Sequence, residues 1–190
     1  MSEKQWVESI KELMLSMELA ENIKIDTLRK IPYAQEIIEY DLDFKARPES
    51  CNSMDFETDL LVYEQNFDII KPRIVIEAKL SISTHDAITY SYKAQNHKSV
   101  TPFLRYGIML GNREHKSLPG RLFRHGSNFD FMIRLQGAVL SEKEKLSFIN
   151  LLKKELEYSR QLEEMLMNSR SKNRKHYFIL QNELYMEQLD

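Results

Sequence analysis

The chain has 190 residues, of which 42% are hydrophobic, 10% aromatic and 29% charged, with a formal net charge of −2. That composition supports a real core and excludes a disordered chain or a globally basic nucleic-acid binder, so any polyanion site must be a local patch. The single cysteine, Cys51, excludes a disulfide framework and a cysteine-based zinc site.

Charge is distributed unevenly. Residues 1–92 carry 10 Lys or Arg against 18 Asp or Glu, a net of −8, whereas residues 93–125 carry seven against one, a net of +6. All five glycines lie between Gly107 and Gly137. A basic, glycine-bearing segment inside an acidic chain suits a polyanion. The first residues carry acids where a secretory signal would be apolar, and no apolar run nears the ~20 residues of a membrane helix. The expected setting is the cytoplasm, without a membrane.

In chain order, Ser2–Glu21 reads as an amphipathic helix on Trp6, Ile10, Leu13, Met17 and Ala20, with Ser2 as its cap. Tyr33–Phe44 reads as a strand, with a short helix over Ala34–Tyr40 as the alternative. Lys45–Asp55 reads as loop, Phe56–Glu64 as a strand and Gln65–Pro72 as a connection. Arg73–Leu80 contains the consecutive Ile74, Val75 and Ile76 and suits a strand covered on both faces. A helix is expected over His85–His97, capped by Ser83 or Thr84 and presenting Ala87, Ile88 and Tyr92. Phe103–Leu110 is a strand, Asn112–Asn128 a long polar loop and Phe129–Leu135 a further strand. Ser141–Asn168 is a helix with a Ser141/Glu144 capping box and a stripe of Leu146, Ile149, Leu152 and Leu156. His176–Leu189 is a last short element. The mixture gives an α/β fold: a mixed central sheet flanked by helices, with residues 1–140 as core and 141–190 as a C-terminal helical extension, packed on the core or used in subunit contact.

The chemistry concentrates in Asp59, Glu77 and Lys79. Asp59 opens the apolar run Leu60–Val62, and Glu77-Ala78-Lys79 closes the run Ile74–Ile76. Residues two apart on a strand share a face, so Glu77 and Lys79 stand with Val75, and Ile74, Ile76, Ala78 and Leu80 pack the other side. If the two strands pair, the seventeen intervening residues bring the Asp59 and Glu77 carboxylates together. Their repulsion favours a shared divalent cation, and oxygen-only ligands select a hard ion, Mg²⁺ with Mn²⁺ as the substitute. The Ala78 carbonyl is the expected third ligand. Lys79 would hold or deprotonate an attacking water, with a pKa depressed by burial and by the ion. Asp43-Phe44-Lys45 and Glu114-His115-Lys116 match the same short pattern, but the first follows an expected strand with no acid-headed strand upstream, and the second sits in a polar loop with no strand before it.

Asp59, the hairpin, Glu77-Ala78-Lys79, the following helix and the strand Phe103–Leu110 together resemble the PD-(D/E)xK nuclease superfamily. A more distant likeness to the FokI-type cleavage domain runs through Leu110-Gly111, Leu122 and Gly137-Ala138-Val139-Leu140-Ser141. Thr58 stands where the family's name has proline, and Gln95 is followed four later by Ser99, unlike the Gln/Tyr pair of some exonuclease members. The resemblance implies Mg²⁺-dependent hydrolysis of DNA phosphodiesters by a restriction-type endonuclease or its cleavage subunit, working as a homodimer or with a DNA-recognition subunit. Asp59, Glu77 and Ala78 would hold metal. Double-stranded DNA would lie along the helix His85–Lys98 and the loop Asn112–His125, touching Lys93, His97, Lys98, Arg113, Lys116, Arg121, Arg124 and His125. A repair nuclease or junction resolvase with the same core, and a catalytically silent binding module, are the alternatives. Some members take an acid from the first helix, for which Glu21 is the candidate.

Overall fold

The structure is a computed structural model and describes residues 1–17, 19–111, 117–137, 139–173 and 175. In chain order it comprises α1 (Glu3–Ser16), β1 (Ile23–Ile37), β2 (Cys51–Asn66), β3 (Ile69–Lys79), α2 (Thr84–Val100), β4 (Arg105–Leu110), α3 (Gly120–His125), β5 (Phe131–Arg134) and α4 (Glu142–Ser169). The strands lie side by side in chain order, with β1, β2 and β3 antiparallel and β3, β4 and β5 parallel. This is the expected α/β fold with a mixed sheet flanked by helices and a C-terminal helix.

Each long helix starts at a serine whose side chain accepts from the backbone three residues on, and each closes a full capping box: Ser2 with Gln5, Ser83 with Asp86 and Ser141 with Glu144. One face of the sheet packs α1 and α4, through Trp6, Ile10 and Met14 and through Phe148, Leu152 and Leu156, onto Leu60, Val62, Ile74, Ile76 and Ala78. The opposite face receives α2 and α3, with Ala87, Ala94 and Leu122 against Val75, Tyr106, Ile108 and Leu110. The strand alternation expected for Ile74–Ala78 therefore holds. At Gly107 and Gly111 the packing depends on a missing side chain. A Cβ on Gly107 would stand 2.0 Å from the Phe131 ring, and one on Gly111 would stand 2.5 Å from the Trp6 ring.

Several boundaries differ from the sequence expectation. Helix α1 stops at Ser16, because the Met17 N–H caps onto Met14 and an Ala20–Ile23 turn redirects the chain into β1. Strand β1 begins ten residues before Tyr33, and residues 34–37 continue it instead of forming a helix. The β2–β3 connection shrinks to a two-residue turn at Phe67 and Asp68, because Pro72 sits in β3 at a register shift, where a strand tolerates a missing N–H. Within the stretch read as a polar loop, residues 120–125 form α3 around the buried Leu122. On α2 the buried face is Ala87, Ser91, Ala94 and His97, of which the first three are small and let the helix sit close to the sheet, while Ile88 and Tyr92 are exposed. On α4, Leu146 leaves the expected stripe and faces solvent. Residues 176–189, expected as a last element, lie outside the described residues.

Charged groups fasten α4 to the sheet. Arg73, 2% exposed, donates to Glu64 Oε2 at 2.9 and 2.6 Å and to Glu163 Oε2 at 2.6 Å. Arg160 donates to the other Glu64 oxygen at 2.7 Å. Further along, Arg105 on β4 pairs with Glu155 at 2.6 Å.

Candidate active site

The pairings Leu60↔Ile76 and Leu61↔Val75 set Asp59 across from Glu77. Both point to the α2 face, near the C-terminal end of β3 and beside the parallel strand β4, the region where open α/β sheets place ligands. Asp59 Oδ2 accepts from the Ala78 N–H at 2.9 Å and lies 3.4 Å from Lys79 Nζ. The structure thus brings Asp59, Glu77 and Lys79 together.

Glu77 is 1% exposed. Its Oε1 accepts from the Tyr106 hydroxyl at 2.5 Å and from Lys93 Nζ at 3.0 Å. Burial pushes its pKa up to about 7. Lys93 and the Tyr106 bond oppose that rise, and the neighbouring Asp59 charge adds to it. Tyr106 is held well above the usual phenol range by burial and by the Glu77 charge. Its hydroxyl is therefore a donor to Glu77 and stays protonated.

Lys79 contradicts the expectation of a depressed pKa. Burial pulls it down, but Glu3 Oε1 at 2.7 Å and the Asp59 carboxylate outweigh burial and raise it. Its ammonium also stands 5.1 Å from the centre of the Tyr90 ring, which favours the charged form electrostatically. Glu3 and Asp59 hold Lys79 in its charged form.

Among the described residues, no three His, Cys, Asp or Glu side chains are grouped so that they could hold a metal ion. Asp59 and Glu77 remain as a two-carboxylate donor set. Both hydrogen bonds to Glu77 end on Oε1, so among the described residues Oε2 of this buried acid accepts none. Two hard oxygen donors with an unfilled coordination sphere fit Mg²⁺, which keeps several waters and uses one or two carboxylates. Ala78 contributes through its N–H, which orients Asp59; its carbonyl is the group that would complete the set.

Further participants of the site were not legible in the sequence. The helix acid that reaches the site is Glu3, whose second oxygen accepts from the Leu80 N–H at 3.3 Å; Glu21 lies beyond the end of α1. Glu3 and Asp59 line a cavity of about 130 Å³ with Lys4, Val7, Glu8 and Leu28. Leu28 falls opposite Asp59 in the β1–β2 register and has φ 55°. A leucine in the left-handed region costs on the order of 1–2 kcal/mol, and such strain gathers at functional sites.

The residues expected to touch DNA divide sharply. His97 is fully buried, with Nδ1 3.1 Å from the Pro32 carbonyl and its ring stacked 5.7 Å from Tyr106, so it cannot meet a phosphate. It lies on the sheet-facing side of α2, three residues after Ala94. Lys93 points into the site. Lys98 is committed to the Asn128 carbonyl at 2.6 Å and to Asp130 at 3.2 Å. Arg121 donates to the Ile82 carbonyl at 3.1 Å. Arg124 is exposed and His125 half-buried, both in the last turn of α3. Arg113 and Lys116 lie outside the described residues.

No helix among the described residues is long and apolar enough to cross a membrane. No protein-family model matches the chain, and no curated protein matches it, so the functional reading rests on the geometry of the site.

Proposed function

We propose that this chain is a Mg²⁺-dependent endonuclease of double-stranded DNA, a restriction-type enzyme or its cleavage subunit, built as the PD-(D/E)xK superfamily is. The observation that carries the reading is the convergence of the Asp59 and Glu77 carboxylates beside the Lys79 ammonium at the end of β3. Asp59 and Glu77 hold the metal, with the Ala78 N–H orienting Asp59 and the Tyr106 hydroxyl orienting Glu77. When bound, the ion acts as a Lewis acid on the phosphate and lowers the pKa of a coordinated water. Lys79, kept charged by Glu3, donates to the attacking water and offsets charge on the phosphate. Arg124 and His125, in the last turn of α3, offer contacts to the DNA backbone that position the duplex without reading sequence. One site cuts one strand, so a second copy or a recognition subunit completes a double-strand break.

A silent binding module is the second reading. It is favoured by the internal pairing of both cations, Lys79 with Glu3 and Lys93 with Glu77. Incubation of supercoiled plasmid with the protein and Mg²⁺ separates the two. The nuclease nicks or linearises the plasmid, and Asp59→Ala and Lys79→Ala abolish this while DNA binding persists. Equal products from wild type and Lys79→Ala would overturn the catalytic assignment.

A further inference from the structure

Lys93 comes from α2, the helix that follows β3, and its ammonium ends in the centre of the site. Nζ lies 3.0 Å from Glu77 Oε1 and 2.8 Å from the Glu57 carbonyl. It also stands 5.6 Å from the centre of the Phe56 ring and 5.2 Å from that of Tyr90. The side chain is 13% exposed, against 1% for its carboxylate partner. A buried carboxylate is costly without a counter-charge, and Lys93 supplies one.

A divalent ion on Glu77 would supply the same counter-charge at the same carboxylate. An ammonium and a hard dication held against one carboxyl group repel, and the lysine is the partner able to leave. Its flexible four-carbon stem reaches solvent and its charge hydrates strongly. Tyr106, by contrast, is fully buried and donates to the same Oε1 without carrying a charge.

We propose that Lys93 is the resident counter-ion of this site: its ammonium neutralises Glu77 until a divalent cation takes that carboxylate, and metal loading then releases Lys93 from Glu77. This rests on the nuclease reading, because it assumes that Glu77 is a metal ligand. It assigns Lys93 a positioning role distinct from that of Lys79, whose partners are Glu3 and Asp59.

The test uses wild-type protein with an amine-acylating reagent at pH 8, with and without Mg²⁺, and reads the labelling rate of each lysine by mass spectrometry. The exposed Lys30 serves as the internal standard. Binding of Mn²⁺, followed in parallel by the paramagnetic signal of the free ion, reports occupancy. Lys93 is expected to label slowly without metal and at least fivefold faster with Mg²⁺, while Lys30 is unchanged. In Glu77→Gln, Lys93 labels fast in both conditions. An unchanged Lys93 rate in wild-type protein that has bound Mn²⁺ overturns this inference and leaves the nuclease reading standing. Failure of the wild type to bind Mn²⁺ overturns both.

Discussion

Burying Glu77 has a thermodynamic signature that stability measurements can read. Its carboxyl has a pKa of about 7 in the folded protein against an ordinary value of 4.5, raised chiefly by burial. A group whose folded pKa is raised binds its proton more tightly in the native state, so its contribution is present at low pH and lost as pH rises. Between pH 5 and pH 8.5 the unfolded chain gives up this proton early and the native protein late. Integrating the difference in bound protons over that window gives a loss of about 2–3 kcal/mol from this one group. Glu77→Gln keeps the shape and an acceptor for Tyr106 but cannot titrate. The assay is urea unfolding of both proteins at pH 5 and pH 8.5, comparing the two differences so that titrating groups remote from Glu77 cancel. The wild type should lose about 2–3 kcal/mol more than Glu77→Gln over the window. In thermal melts this corresponds to roughly 5–10 °C for a chain of this size. Equal losses in the two proteins would refute the claim that Glu77 is buried against its charged form.

Mg²⁺ at pH 8.5 should raise the melting temperature of the wild type by mass action and leave Asp59→Asn and Glu77→Gln unmoved. Arg73→Met, which removes the buried guanidinium shared by Glu64 and Glu163 and leaves them to Arg160 and Lys71, should cost on the order of 1.5–3 kcal/mol in urea unfolding, more than removal of an exposed pair such as Lys145–Glu142. Gly107→Ala should destabilise by about 1–3 kcal/mol, since its new methyl meets the Phe131 ring, and Phe131→Leu should recover part of that loss.

What the sequence disclosed follows from the range of the interactions involved. The caps at Ser2, Ser83 and Ser141 are local chemistry and were legible, as was the buried run Ile74–Ile76. The meeting of Asp59 with Glu77 was legible because it needs only strand alternation and one antiparallel pairing. The first half of β1 was hidden by its polar residues Lys24, Asp26, Arg29 and Lys30, and Pro72 disguised the hairpin. The direction of the Lys79 pKa was misread because its closest partner, Glu3, comes from the start of the chain, and no local pattern announces that contact. Tyr106 and Lys93 reach Glu77 in the same non-local way. His97 reads as a surface residue by type, but Tyr33, Phe56 and Tyr106 enclose it only once β1, β2 and β4 are assembled.

The central claim is that Asp59 and Glu77 share one hard cation. A crystal of the wild-type protein soaked in Mn²⁺ and measured for anomalous scattering addresses it directly. A single strong peak within coordination distance of an Asp59 carboxylate oxygen and a Glu77 carboxylate oxygen is the predicted result. No peak there, or one held by other side chains, would contradict the account.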